Sequence, residues 1–213
     1  MKENSINIIE QLFERYGELE NLRENIVQSM EMIKNAYVKG NKLFICGNGG
    51  SASDSEHIVG ELLKSFKKKR NIPENLRENL CSLGEKGKYI SENLEGSLPA
   101  ISLTSHLAFS TAYSNDREPC AVFAQQLLGL GKEGDVLICI STSGNSKNCV
   151  YASLVAKAMG IKVISLTGEK TSELMNLSEV TINVPETETF KVQELHLPIY
   201  HAICAFLEEE LFD

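Results

Sequence analysis

Two separate stretches of the chain share one design: an apolar run, a turn of glycines and hydroxyls, then a helical pattern. In the first, Lys42 to Glu61 (KLFICGNGGSASDSEHIVGE), Leu43 to Cys46 reads as a short buried strand, and Gly47, Gly49 and Gly50 let the backbone turn tightly. Ser51, Ser53 and Asp54 then open a helix whose first amides lack intrahelical partners. In the second, Asp135 to Ile140 (DVLICI) runs into Ser141, Thr142, Ser143, Gly144, Asn145 and Ser146 and a helical pattern through Met159. Strands separated by helices make a parallel sheet covered on both faces, so the fold class expected is α/β. Binding loops then belong at the C-terminal ends of the strands, where both serine turns fall.

The rest of the chain continues the alternation. Ile6 to Tyr16 and Leu22 to Val38 carry apolar residues at helical spacing, the second with a stripe of Leu22, Ile26, Met30 and Ile33 that must be buried against something. Later come a strand at 100–103, helices near 107–114 and 120–130, strands at 162–166 and 180–184, and a helix over 192–211. The polar stretch from Lys67 to about residue 98 is too long for an ordinary connection and reads as an inserted flap with short helices at 73–83 and 88–94. Its opening charge run, Lys67 to Arg70, is expected to be a solvated helix end. The organisation expected is an N-terminal helical extension over 1–40 and one α/β domain over 41–213, since 213 residues with 42% hydrophobic content can bury one substantial core.

An anion at a helix N-terminus meets unpaired N–H groups and the positive end of the helix dipole, so a phosphate suits each turn. Ser and Thr are also ordinary N-caps, and Gly47, Gly49 and Ala52 alone satisfy a dinucleotide-type G-x-G-x-x-A pattern. Two hydroxyl turns on parallel strands favour a phosphate monoester; the dinucleotide reading leaves the second turn without a task and lacks a charged residue at the end of the strand starting at Ala100. The formal charge of −8 argues against nucleic acid as a partner. The six cysteines show no C-x-x-C spacing and read as small core residues in a reducing compartment. The N-terminus lacks the apolar block of a signal peptide, and no run approaches the roughly 18 apolar residues of a membrane span, so a cytoplasmic protein with no membrane partner is expected.

His57 and Glu61 are four residues apart and share a helix face. In VQELHLPIYH, Gln193 and His201 are two turns apart on another helix, with His196 and Glu194 nearby. His57, Glu61, Gln193 and His201 make a nitrogen and oxygen set suited to zinc. The same residues read without metal give Glu61 and His201 as an acid and base pair across two reacting carbons. Spacing leaves both readings open.

The segments CGNGGSASDSEH with Glu61, AYSND, GDVLICISTSGNS, VISLTG and VQELH with His201, in this order, resemble the sugar isomerase (SIS) domain phosphoheptose isomerases, the sedoheptulose 7-phosphate isomerases. The resemblance covers nearly the whole chain outside 67–96. It implies that Ser51, Ser141, Ser143 and Ser146, with Asn48, Gly49 and Thr142, hold the sugar phosphate, that Asp116 and Gln193 help position substrate, and that Glu61 and His201 move protons through an enediol. It also implies zinc on His57, Glu61, Gln193 and His201, and a homotetramer with sites between subunits that would bury the N-terminal stripe. Three positions depart from the family pattern: Ser65 where Arg is frequent, His106 where Asp is frequent, and Phe190 where a small residue is frequent. A related non-catalytic, replication-initiator-associated SIS protein lacks the equivalents of Glu61 and His201, and both are present here.

Overall fold

The computed structural model describes residues 1–212. Five parallel strands form one sheet: β1 (Leu43–Gly47), β2 (Ala100–Ser102), β3 (Val136–Ile140), β4 (Lys162–Thr167) and β5 (Val180–Asn183), in the spatial order β2-β1-β3-β4-β5. The helices are α1 (Glu3–Arg15), α2 (Arg23–Val38), α3 (Gly50–Leu63), α4 (Glu74–Ser82), α5 (Glu85–Asn93), α6 (Leu107–Asp116), α7 (Val122–Leu130), α8 (Lys147–Ala158), α9 (Glu173–Leu177) and α10 (Thr189–Leu211). Of these, the single-turn α9 has no counterpart in the sequence pattern.

Every residue of β1 and β3 is buried, as expected of strands covered on both faces. The pleat sorts them. Leu43 and Ile45 of β1 with Val136, Ile138 and Ile140 of β3 pack with Ile26, Met30 and Ile33 of α2, Ile58 and Leu62 of α3, and Ile199, Ile203 and Phe206 of α10. Phe44 and Cys46, with Leu137 and Cys139, face the other way onto α7 and α8. The α2 stripe, with Ile26 and Met30 at 0% exposure, is thus buried inside the chain itself and needs no neighbouring subunit to cover it.

The chain goes from β1 outward to β2 and then returns past β1 to β3, so the strand order reverses between β1 and β3. Crevices at such switch points lie outside the strand C-termini. Gly47 is in register with Ile140, which sets the two serine turns side by side.

The charge run at 67–70 differs from expectation. Arg70 is fully buried rather than solvated. Its Nε donates to Glu208 Oε1 at 2.7 Å, while its two terminal nitrogens donate to the carbonyls of Leu62 (2.7 Å) and Glu61 (2.9 Å) at the end of α3. The Glu208 carboxylate also accepts the backbone N–H groups of Phe66 and Lys67. Burial pushes the Glu208 carboxyl up, but these donors outweigh it and hold the group below the usual carboxylate range. A cation at orphan carbonyls also complements the helix dipole, so the insertion is clamped to α3 and α10 at its root. Beyond the root, α4 and α5 form a hairpin whose close approach requires Gly87, since a Cβ there would stand 1.9 Å from the Leu80 carbonyl oxygen.

Candidate active site

At the first turn, Gly49 adopts φ 57°, a backbone region that disfavours side chains, and brings the chain into α3 without a side-chain cap. Helix α8 likewise begins at Ser146 with no side-chain cap bond. Simple side-chain N-capping therefore does not account for the hydroxyls, and although the Ser51 and Ala52 N–H groups already donate to the Asn48 and Gly49 carbonyls, the positive ends of both helix dipoles point into the turns. Ser51 and Ser141 are buried, and Ser141 Oγ lies 3.0 Å from Ser146 Oγ. The two turns are tied by a reciprocal amide pair: Asn48 Nδ2 donates to Asn148 Oδ1 at 2.9 Å and Asn148 Nδ2 to Asn48 Oδ1 at 2.8 Å. Gly144 has φ +64°, and a Cβ on it would stand 2.1 Å from Ser172 Oγ, so the second turn is held against the loop after β4. Thr142 accepts the Gly168 N–H in the same loop, and the exposed Ser143 hydroxyl accepts the Asn145 N–H.

The histidines and Glu61 lie where α3 packs against α10. His57 Nε2 lies 3.4 Å from Glu61 Oε1, and the rings of His57 and His201 meet edge to face with centroids 5.0 Å apart. Gln193 is brought in by contact with the glycine turn, its Nε2 occupying the space within 2.7 Å of where a Gly50 Cβ would stand. Phe66 covers His201 with a ring-centroid separation of 5.6 Å. Burial pulls the His201 imidazole below its ordinary value, the neighbouring His57 adds to this, and Glu61 opposes it, so neutral His201 is favoured at pH 7. A neutral imidazole can both give and take a proton.

His201 Nε2 is buried without a hydrogen-bond partner, which leaves a lone pair or an N–H for a ligand. Two ligands of one tetrahedral zinc, with bonds of roughly 2.0–2.2 Å, stand about 3.4 Å apart, matching the His57 to Glu61 spacing. Among the described residues no three His, Cys, Asp or Glu side chains stand close enough together to hold a metal ion, and the pair at ligand spacing is His57 with Glu61. The donor chemistry suits zinc.

The remaining candidates are dispersed. Asp116 ends α6 exposed, with Oδ1 accepting from Asn115 Nδ2 at 2.9 Å, and the described contacts do not join it to the other site residues. His196 is a core residue: its Nε2 lies 3.3 Å from the Thr167 carbonyl, and burial lowers it to about 4. Of the three departures, Ser65 accepts the Arg70 N–H, His106 pairs with Gln126, and Phe190 is exposed. Asn148, which pairs with Asn48, Tyr200, which meets His57, and Asp54, which reaches His57 through Tyr200, are absent from the sequence-derived set. Asp54 stands three residues before His57, a helical spacing that signals a shared face. Tyr200 precedes His201 directly and carries no such signal.

The SIS domain family matches residues 95–168. A phosphoheptose isomerase of Clostridium acetobutylicum is 38% identical over 189 residues, 89% of this chain and 84% of the relative. One from Akkermansia muciniphila is 32% identical over 212 residues, 100% of this chain and 99% of the relative. This chain belongs to the phosphoheptose isomerase family. The structure of the Neisseria gonorrhoeae phosphoheptose isomerase superposes with a TM-score of 0.74 at 29% identity, over 97% of this chain and 94% of that one. That of Francisella tularensis gives 0.72 at 28%, over 98% and 100%. The chain is therefore a single-domain SIS isomerase, and its parallel sheet with N-terminal helices is the fold of phosphoheptose isomerases. None of its described helices is long and apolar enough to cross a membrane.

Proposed function

We propose that the protein converts sedoheptulose 7-phosphate to D-glycero-D-manno-heptose 7-phosphate. The observation that carries this is the presence of two serine turns without side-chain caps at the ends of neighbouring parallel strands, together with the contacts of His57 with Glu61 and with His201 between α3 and α10. The turns bind the phosphate: Ser51, Ser141, Ser143 and Ser146 donate hydroxyl hydrogens, Asn48, Gly49 and Thr142 shape the backbone around it, and the α3 and α8 dipoles supply positive potential without a fixed cation. Gln193, packed against the first turn, orients the sugar, and the part the sequence resemblance implies for Asp116 has no contact with the other site residues among the described residues of this chain.

With the phosphate anchored, the carbonyl end reaches Glu61. Glu61 takes the proton from the carbon next to the carbonyl, and the bonding pair moves to give the enediol. His201, neutral by virtue of its burial, gives a proton to the carbonyl oxygen and accepts one from the neighbouring hydroxyl. The proton held on Glu61 returns to the former carbonyl carbon. Zinc, held by His57, Glu61, Gln193 and His201, would supply Lewis-acid stabilisation of negative charge on the sugar oxygens. The working form is a cytoplasmic homotetramer, on the pattern the sequence resemblance implies.

Reaction in D2O tests the proton route. Deuterium should enter the product at the new C–H bond to the extent that the proton on Glu61 exchanges with solvent before it returns, and Glu61→Gln should lower turnover at least 10³-fold while leaving phosphate-dependent thermal stabilisation unchanged. Full activity in Glu61→Gln removes Glu61 from the mechanism.

A further inference from the structure

The hydroxyl of Tyr200 sits between two groups of α3. It donates to Asp54 Oδ1 at 3.1 Å, and His57 Nδ1 lies 3.1 Å from the phenol oxygen itself. A phenol has one hydrogen, and a carboxylate is the stronger claimant for it because the bond is charge-assisted. The phenol oxygen then offers only lone pairs to His57, so Nδ1 carries a hydrogen and the lone pair of the neutral ring lies on Nε2. We propose that Tyr200, backed by Asp54, is a positioning residue that fixes His57 as the Nδ1–H tautomer and aims the Nε2 lone pair at the space beside Glu61. The proposal deepens the functional reading above and rests on His57 being part of that site.

The surroundings fit this role. Tyr200 is 1% exposed, and its ring meets His57 edge to face at a 5.5 Å centroid separation and His201 at 5.0 Å. The phenol is thus wedged between the two imidazoles and has little freedom to rotate its oxygen away. In the opposite arrangement, with the phenol hydrogen on His57, the Asp54 carboxylate would face an oxygen lone pair, and Asp54 Oδ2 is already buried without a partner. Losing Oδ1 as well would leave the whole carboxylate without a hydrogen-bond donor, and an unsatisfied buried charged group is costlier than an unsatisfied neutral one. Helical geometry supplies the register: Asp54 and His57 are three apart on α3, while Tyr200 reaches across from α10. Second-layer hydrogen bonds of this kind set which imidazole nitrogen is free for a ligand and how basic it is.

The test is ¹⁵N-histidine long-range correlation NMR on the metal-free, chelator-treated protein at pH 8, with the His57 signal assigned by its loss in His57→Asn. The wild type should show His57 with protonated Nδ1 and unprotonated Nε2. In Tyr200→Phe, which keeps the ring and its packing, and in Asp54→Asn, His57 should become a mixture of tautomers. Zinc affinity, measured by competition with a chromophoric chelator, should fall about 10–100-fold in Tyr200→Phe. A His57 with Nε2–H in the wild type, or an unchanged tautomer in both variants, overturns the proposal. Neither readout uses a sugar, so a fixed Nδ1–H tautomer in a protein inactive on heptose phosphates would sink the isomerase reading and leave Tyr200 in its role.

Discussion

Arg70 offers a demanding test of the packing because the same residue read as a surface charge and as a buried one predicts different numbers. In the structure the guanidinium has 0% exposure and spends its hydrogens on Glu208, Leu62 and Glu61, with Phe212 lying 5.1 Å from it. Arg70→Met keeps much of the stem but leaves the Glu208 carboxylate buried with only backbone donors, takes the Arg70 donor from the Glu61 carbonyl and leaves the Leu62 carbonyl with the Leu98 N–H alone. Removing one partner of a buried ion pair costs about 3–5 kcal/mol. At about 2–4 °C per kcal/mol for a chain of this length, the melting temperature should drop by roughly 6–20 °C. Urea unfolding at fixed protein concentration gives the free energy directly. The double variant Arg70→Met with Glu208→Leu should recover part of the loss, because no charge is then stranded. A solvated arginine would cost within about 0.5 kcal/mol, so a loss below 1 kcal/mol refutes the clamp.

Further outcomes follow from other parts of the structure. Gly50→Ala places a methyl against the flexible end of Gln193, so stability should hold within about 1 kcal/mol while kcat falls, as steady-state kinetics beside urea unfolding will show. Gly144→Ala requires an unfavourable φ and meets Ser172, so it should cost about 1–3 kcal/mol and raise KM for the phosphate ester more than it lowers kcat. Glu210 ties the chain start to α10: burial pushes its carboxyl up, but Ser5, the Lys2 N–H and Lys34 bring it down to about 2. A depressed folded value means stability that is present above the unfolded carboxylate range near 4.3 and lost as pH falls toward 2. The part of the stability difference between wild type and Glu210→Gln that comes from this charge should therefore be constant from pH 7 to about 5, shrink as pH falls further and vanish only below about 2 in acid-titrated urea unfolding; a pH-independent difference contradicts the assignment.

The parallel sheet was legible because β1 and β3 are apolar on both faces and each runs into a glycine and hydroxyl turn, a pattern with few alternative folds. His57, Glu61, Gln193 and His201 were legible as two helical pairs, since i,i+4 and two-turn spacings survive without knowledge of tertiary structure. The Tyr200 contact was not, because a neighbour at i−1 points to another face and only the approach of α10 to α3 makes the pair. Arg70 was misread for a related reason: a run of four basic residues looks solvated, and nothing local reveals that Glu208, far along the chain, will take one of them inside.

Incubation of the purified, metal-characterised protein with sedoheptulose 7-phosphate, followed by chromatography of the sugar phosphates, bears most directly on the chemistry assigned to the crevice. A new aldoheptose 7-phosphate should accumulate to an equilibrium mixture with the wild type and be absent with Glu61→Gln. Absence of any new heptose phosphate with the wild type, while sedoheptulose 7-phosphate still raises its melting temperature, would show that the crevice binds this ester without isomerising it.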